Sequence, residues 1–278
     1  MLRVRDLFVE GLKAPLGIDA PRPALAWRFA RSTERGLRQK AYRILVATRE
    51  ELLRPGACDV WDSGVVESRR HVHVLYEGPE LESRTRYFWK VQLWDERGRM
   101  AESAPSWWEM GLLRPGDWQA LWIGGPEGIE EAGAPMLRKE FQLQRPVARA
   151  RAYVCGLGHY ELRINGRKVG ERVLDPGWTK YDKTCLYATY DVGEYLVQGA
   201  NAAGVLLGNG FFHVTGGRYR KFKGSFGQPK CLLQIEVEHP DGTRTVVASG
   251  PGWKASRSPI TFNCIYGGED YDARLEQE

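Results

Sequence analysis

Residues 154–191, VCGLGHYELRINGRKVGERVLDPGWTKYDKTCLYATYD, decide how this chain is read. Alternating apolar residues in YELRI and in RKV flank Asn165-Gly166, the pair that a two-residue type I′ hairpin turn requires because both central residues take positive φ. Beyond the hairpin comes a loop rich in aromatic and polar residues, and then the alternating strand CLYATY. Nothing in the segment spells a catalytic motif. It describes a β-sandwich whose end loops face outward.

The same period of two runs through the rest of the chain, and long helical periodicity is missing. Downstream of residue 115 it predicts strands at 136–143, 147–155, 160–164, 167–169, 185–190, 202–207, 231–238, 243–248 and 253–256. Asp241-Gly242 reads as a second type I′ turn, and residues 193–196 as a short helix. Upstream, strands are expected at 24–29, 41–47, 60–63, 71–74, 86–94 and 107–110, spaced by turn signals such as Arg54-Pro55-Gly56. That spacing describes a sandwich of the immunoglobulin or fibronectin type III kind. Leu81 followed by Tyr87 at the head of an alternating strand is how a tyrosine corner is written, and Trp27 reads as a core tryptophan. The expected architecture is all-β: an immunoglobulin/fibronectin type III-like domain over residues 1–114, then a jelly-roll β-sandwich over 115–278, with Pro115-Gly116 punctuating the join.

Composition bounds the function. The 278 residues are 42% hydrophobic and include 10 Trp and 12 Tyr, enough for two ordinary cores. A net charge of +5 arises from 40 basic and 35 acidic residues dispersed along the chain. Without a long basic stripe or a reader motif, nucleic acid is not an expected partner. Five scattered cysteines lack a CxxC pair, which argues against a disulfide framework or a zinc site and fits a reducing, cytoplasmic setting. No apolar run is long enough for a signal peptide core or a membrane span, so no membrane partner is expected.

Candidate chemistry is sparse. Gly156-Leu157-Gly158 follows a strand like a dinucleotide loop, but Glu161 stands where the third glycine belongs and a strand follows, so that reading fails its own context. His71 and His73 would share a strand face, yet spacing offers no third metal ligand. Glycoside hydrolysis needs two facing carboxyls, and no spacing pairs any two of Asp175, Asp182, Glu194, Glu269, Asp270 and Asp272. Two polar loops bearing aromatics stand out, 174–183 (LDPGWTKYDK) and 208–213 (GNGFFH). Aromatic faces stack on the C–H face of a pyranose while carboxylates and amides take its hydroxyls, which makes Asp175, Trp178, Tyr181, Asp182, Asn209 and Phe211 candidate carbohydrate contacts. The plainer alternative is that Trp178 and Phe211 hold the loops against the rim of the core.

These residues also carry a resemblance. The stretches 150–192, 204–219 (GVLLGNGFFHVTGGRY) and 265–276 (IYGGEDYDARLE) look like the N-terminal region of bacterial α-L-rhamnosidases of glycoside hydrolase family 78. WDSGVVES at 61–68 and LESRTRYFWKVQLWDERG at 81–98 resemble that family's first domain. The resemblance implies an inverting parent enzyme whose general acid and general base lie on an (α/α)₆ barrel further along. It therefore implies that this chain, inactive by itself, has the catalytic domain of the same polypeptide as its partner, with L-rhamnose or rhamnosides as ligands. In some relatives a calcium ion, a hard cation wanting oxygen ligands, grips the sugar. Here it would sit near Asp175, Asp182 and Asn209, where the Lys180 ammonium opposes a dication. The competing implication is a purely structural scaffold without sugar binding.

Overall fold

The structure, a computed structural model, describes residues 2–125, 133–214, 218 and 224–276. The chain forms two compact units, Met1–Trp118 and Gln119–Glu278. Both are all-β, and no α-helix occurs among the described residues.

The first unit holds β1 (Val4–Val9), β2 (Ala24–Phe29), β3 (Gln39–Ala47), β4 (Trp61–Asp62), β5 (Val74–Leu75), β6 (Arg86–Asp95), β7 (Met100–Glu102) and β8 (Ser106–Glu109). A sheet ordered β1-β2-β5 packs face to face on one ordered β4-β3-β6-β7, in which β8 adds to β6. Inward residues of both sheets meet in one core around Trp27, Ile44, Trp89, Val91 and Trp108, all fully buried. Period-two alternation puts these side chains on one face, and a core of this size is what keeps such a sandwich folded. Trp27 is the core tryptophan the sequence foretold; its Nε1 donates to Gln39 Oε1 at 2.9 Å, and Gln39 Nε2 in turn donates to the Ser68 and Arg70 carbonyls. The tyrosine corner is present as well: Tyr87 Oη accepts from the Glu82 backbone N–H at 2.9 Å. That satisfies a donor at the sheet corner.

The second unit holds β9 (Ile123–Gly124), β10 (Pro135–Leu143), β11 (Arg149–Leu157), β12 (His159–Ile164), β13 (Arg167–Lys168), β14 (Tyr187–Asp191), β15 (Gly199–Gly208), β16 (His213–Val214), β17 (Gly224–Ser225), β18 (Lys230–Glu238), β19 (Arg244–Ala248), β20 (Lys254–Arg257), β21 (Ile260–Cys264) and β22 (Gly268–Tyr271). One sheet runs β13-β12-β15-β10-β20, the other β14-β11-β18-β19 with β9 on β18. Every pairing within these sheets is antiparallel. The core lies between them: Ala203, Val205 and Leu207 of β15 face Val154 of β11 and Leu233, Ile235 and Val237 of β18, all buried. A short 3-10 turn at Gly193–Tyr195 occupies the place where a short helix was expected.

Turn chemistry separates the two hairpins. Asn165 and Gly166 have φ of 51° and 79°, and Ile164 pairs with Arg167 across them, the type I′ geometry expected. At Asp241-Gly242 the type I′ expectation is corrected. The Gly242 N–H donates to the His239 carbonyl at 2.9 Å, and His239 N–H to the Thr243 carbonyl. Pro240 fixes a negative φ inside the turn, so only Gly242 takes the left-handed conformation and the loop is the three-residue type with a bulge. The strand expected at 71–74 is shorter and shifted, because His73 has φ 54° and pairing resumes only at Val74. His71 is held in that irregular stretch, its Nδ1 lying 3.2 Å from the Trp27 carbonyl.

Candidate functional site

The candidate loops sit at one end of the second unit, and a glycine corner fixes them. Between β11 and β12 the chain passes from one sheet to the other through Gly156-Leu157-Gly158. A Cβ on Gly156 would lie 2.6 Å from the Gly158 carbonyl oxygen, and one on Gly158, at φ 107°, only 2.2 Å from the Gly208 carbonyl oxygen. The two glycines serve a tight strand connection, and β12 opens on His159 directly beyond it.

After β13 the chain leaves the sheet into the aromatic loop. Asp175 is its anchor: Oδ2 accepts from Tyr160 Oη at 3.1 Å and from Tyr190 Oη at 3.2 Å, with Arg172 Nη1 at 3.5 Å. Burial raises the pKa of both phenols, so they stay protonated as donors to the carboxylate. The Tyr160 N–H also donates to the Asp175 carbonyl at 3.0 Å, tying the loop to β12. Further on, Thr179 Oγ1 donates to the Thr184 carbonyl at 2.6 Å, and Lys180 accepts at its carbonyl from the Lys183 and Thr184 N–H groups.

On this frame the aromatics form two joined clusters. Trp178, 52% exposed, stacks on Phe211 with centroids 4.8 Å apart and planes 2° from parallel. Phe211 meets the edges of His159 and Tyr266. The neighbouring Phe212 meets Tyr181 at 5.1 Å, and Tyr181 meets Phe226, itself 56% exposed, at 5.3 Å. Offset and edge-on contacts of this kind are the favoured aromatic geometries.

Of the six sequence candidates, Trp178, Phe211 and Tyr181 thus belong to one aromatic end. Asp182 is exposed there, with Oδ2 3.9 Å from Lys180 Nζ. Asp175 is engaged by the two tyrosines. Asn209 is 2% exposed, its Nδ2 donating to the Asn263 carbonyl at 2.9 Å and its N–H to Asn263 Oδ1 at 2.6 Å, so it joins the loop to β21. Among the described residues no three His, Cys, Asp or Glu side chains come together as a metal-ligand group. His159, Phe226 and Tyr266 escaped the sequence reading; the aromatic flank of each was visible in HYELRI, GSFG and CIYGG, but which strand ends converge was not.

Beside the aromatic end lies a cleft of about 420 Å³, walled by His159, the segment 172–174 and the β21–β22 hairpin. Burial holds the His159 imidazole below its ordinary pKa, with the Asp175 charge opposing. The ring is therefore neutral near pH 7.

An immunoglobulin-like sandwich followed by a second sandwich with aromatic end loops defines the chain as a tandem β-sandwich protein. Residues 4–114 match the Rha78A-like N-terminal immunoglobulin domain, and residues 145–278 match the alpha-L-rhamnosidase N-terminal domain. The chain belongs to the α-L-rhamnosidase family as an N-terminal region. It is 36% identical to an alpha-L-rhamnosidase of Formosa agariphila over 94% of this chain and 30% of that protein. Among solved structures, the alpha-L-rhamnosidase of Dictyoglumus thermophilum superposes with a TM-score of 0.87 at 40% identity, covering 99% of this chain and 32% of that one. The Streptomyces avermitilis alpha-L-rhamnosidase complexed with L-rhamnose gives a TM-score of 0.90 at 28% identity, covering 99% and 43%. The chain spans about a third of the length of the curated relatives it matches.

Proposed function

We propose that this chain is the non-catalytic accessory region of an α-L-rhamnosidase, and that the aromatic end of its second sandwich packs against the catalytic domain of the same polypeptide. Hydrolysis of terminal α-L-rhamnosides then belongs to that domain and its acid and base carboxylates. The observation that carries this reading is the exposed apolar surface at one end: Trp178 and Phe226, with Val173 and Leu174 on the same anchored loop. Apolar patches rimmed by polar residues on a soluble domain mark contact surfaces, because leaving them in water forfeits their burial. Asp175, bound by two phenols, holds that loop in place without substrate.

An uncovered docking surface is expected to pair with itself. In sedimentation velocity at rising protein concentration the chain should self-associate reversibly, and the double variant Trp178→Ser/Phe226→Ser should stay monomeric with an unchanged circular dichroism spectrum. A chain that remains monomeric at high concentration and binds no hydrophobic dye would sink the docking reading.

A second reading, rhamnoside binding on an aromatic platform, is favoured by the exposed Trp178 ring backed by Phe211. Calcium is not required by it: Lys180 lies against Asp182, and Asp175 Oδ2 is taken by the Tyr160 and Tyr190 hydroxyls. The cytoplasmic reading rests on five unpaired cysteines, of which burial pushes Cys155 and Cys231 up to about 12, as inert thiols.

A further inference from the structure

We infer that the outward face of the sheet β13-β12-β15-β10-β20 carries a binding site for a phosphomonoester, with the dianionic phosphate seated over Gly204 between Arg163 and Arg138. The inference goes beyond the docking reading and uses none of its residues. The cleft on this face measures about 910 Å³, within the range of small-molecule sites.

Strand register builds the site. Leu137, Leu162, Ala203 and Val205 are buried in the core, so alternation turns Arg138, Arg163 and Gly204 outward. Gly204 pairs with Arg163 on one side and with Arg138 on the other; Arg163 pairs in turn with Lys168, and Arg138 with Lys254. One row across all five strands therefore reads Lys-Arg-Gly-Arg-Lys on a single face. Like charges directly opposite each other destabilise a sheet, so two such pairs in one row call for an anion. The glycine is a second sign. It sits in regular register on both sides, its φ lies outside the left-handed region, and an added Cβ would meet only the Leu137 carbonyl oxygen, at an ordinary 3.7 Å. Nothing in the fold requires glycine there, and a strand glycine with room above it marks a place where a ligand comes close to the backbone.

The charge balance selects the ligand. Arg163 Nε and Lys168 Nζ share Glu161 at 2.9 and 3.0 Å, and Arg138 Nη1 meets Glu140 at 2.7 Å. Lys254, exposed, has no partner among the described residues. Four cations against two carboxylates leave the row a formal charge of +2. A phosphomonoester carries about −1.5 to −2 near pH 7 and three acceptor oxygens. Strands two apart lie roughly 10 Å from each other, so the two guanidiniums reach a tetrahedral group above Gly204 from opposite sides. Arg163 keeps Nη2 for it after its bond to the Gly166 carbonyl, and Arg138 keeps Nε and Nη2. In the neighbouring row Leu206 pairs with Met136, and with Ile260 they give the cleft an apolar wall for the organic part of the ester. Glu276, which also lines the cleft, accepts from the Tyr271 hydroxyl at 2.7 Å.

The test is calorimetric titration of the whole chain, at low ionic strength, with phenyl phosphate and with inorganic phosphate. Phenyl phosphate is expected to bind saturably and about fivefold tighter than inorganic phosphate, because its ring buries apolar area against Leu206 and Met136. Raising sodium chloride to about 0.2 M should weaken both, since the cations are exposed and screened. Arg138→Gln and Lys254→Gln, both at exposed positions, should each weaken phenyl phosphate about fivefold. Gly204→Val should abolish binding without lowering the melting temperature, since a β-branched side chain suits a strand. Trp178→Ser/Phe226→Ser should leave the affinity as it was, so that failure of the docking reading and failure of this one are read separately. Absence of saturable phenyl phosphate binding, or binding that survives Gly204→Val or Lys254→Gln undiminished, would overturn the site, and equal affinity for the two phosphates would overturn the ester.

Discussion

Replacing Gly158 by alanine is expected to destabilise the second unit by about 3–5 kcal/mol, combining backbone strain with overpacking. Gly158 takes φ 107°, a conformation that side chains rarely adopt, and its Cβ would lie 2.2 Å from the Gly208 carbonyl oxygen and 3.2 Å from Pro229 Cβ. Neither neighbour can retreat easily. Gly208 is registered against His159 in the β12–β15 ladder, and Pro229 leads directly into β18. The cost therefore falls on the crossing between the two sheets, where β11 hands the chain to β12. The same displacement would move His159, the first residue of β12. Gly166→Ala is the control: φ there is 79° but nothing lies within 4 Å of the new Cβ. It should cost only about 1 kcal/mol, the conformational part alone. Urea melts of the two variants make the comparison, and an equal midpoint for both would show that the corner can open and that close approach is not what glycine provides.

What could be read from the sequence follows where local chemistry decides the geometry. Asn165-Gly166 allows one turn, and Leu81 with Tyr87 implies one corner, so both were legible. Tertiary or irregular features hid the rest. The strand β1 carries a register shift between Val4 and Asp6 that breaks its alternation. Strand β21 carries another between Ile260 and Phe262, and its hairpin partner β22 is the carboxylate-rich GEDY, which reads as a solvated turn. At the candidate site the sequence located the two loops but could not orient them. Asn209 looks like an exposed amide in GNGFFH, yet its Nδ2 and N–H are both bonded to Asn263, 54 residues away. Asp175 looks like a free carboxylate, yet two phenols from β12 and β14 enclose it. Partners so distant in sequence leave no local signal.

The second large effect is expected in the first unit: Trp108→Ala should cost about 3–5 kcal/mol, while Trp107→Ala next to it should cost about 1 kcal/mol. The two tryptophans are consecutive in β8 and so face opposite sides of the sheet. Trp108 is fully buried, with ring contacts to Tyr87 at 5.5 Å and to Tyr76 and Trp89 at 6.4 Å, and its Nε1 donates to Met110 Sδ at 3.1 Å. Three rings that meet around one indole cannot all collapse into the space it leaves, so the cavity persists and the loss approaches the upper end. Trp107 lies half-exposed under the Arg86 guanidinium at 4.0 Å, and Arg86 keeps its ion pair with Glu109 at 3.1 Å when the indole is removed. Near-ultraviolet circular dichroism under urea, which reports aromatic packing, measures both. Domains of this size have about 5–15 kcal/mol of stability in all, so the Trp108 variant should leave the first unit marginal at 25 °C. A Trp108 variant no weaker than the Trp107 variant would mean that the aromatic cluster closes over the gap, and that the first sandwich is held by its sheet pairings rather than by the rings at its centre.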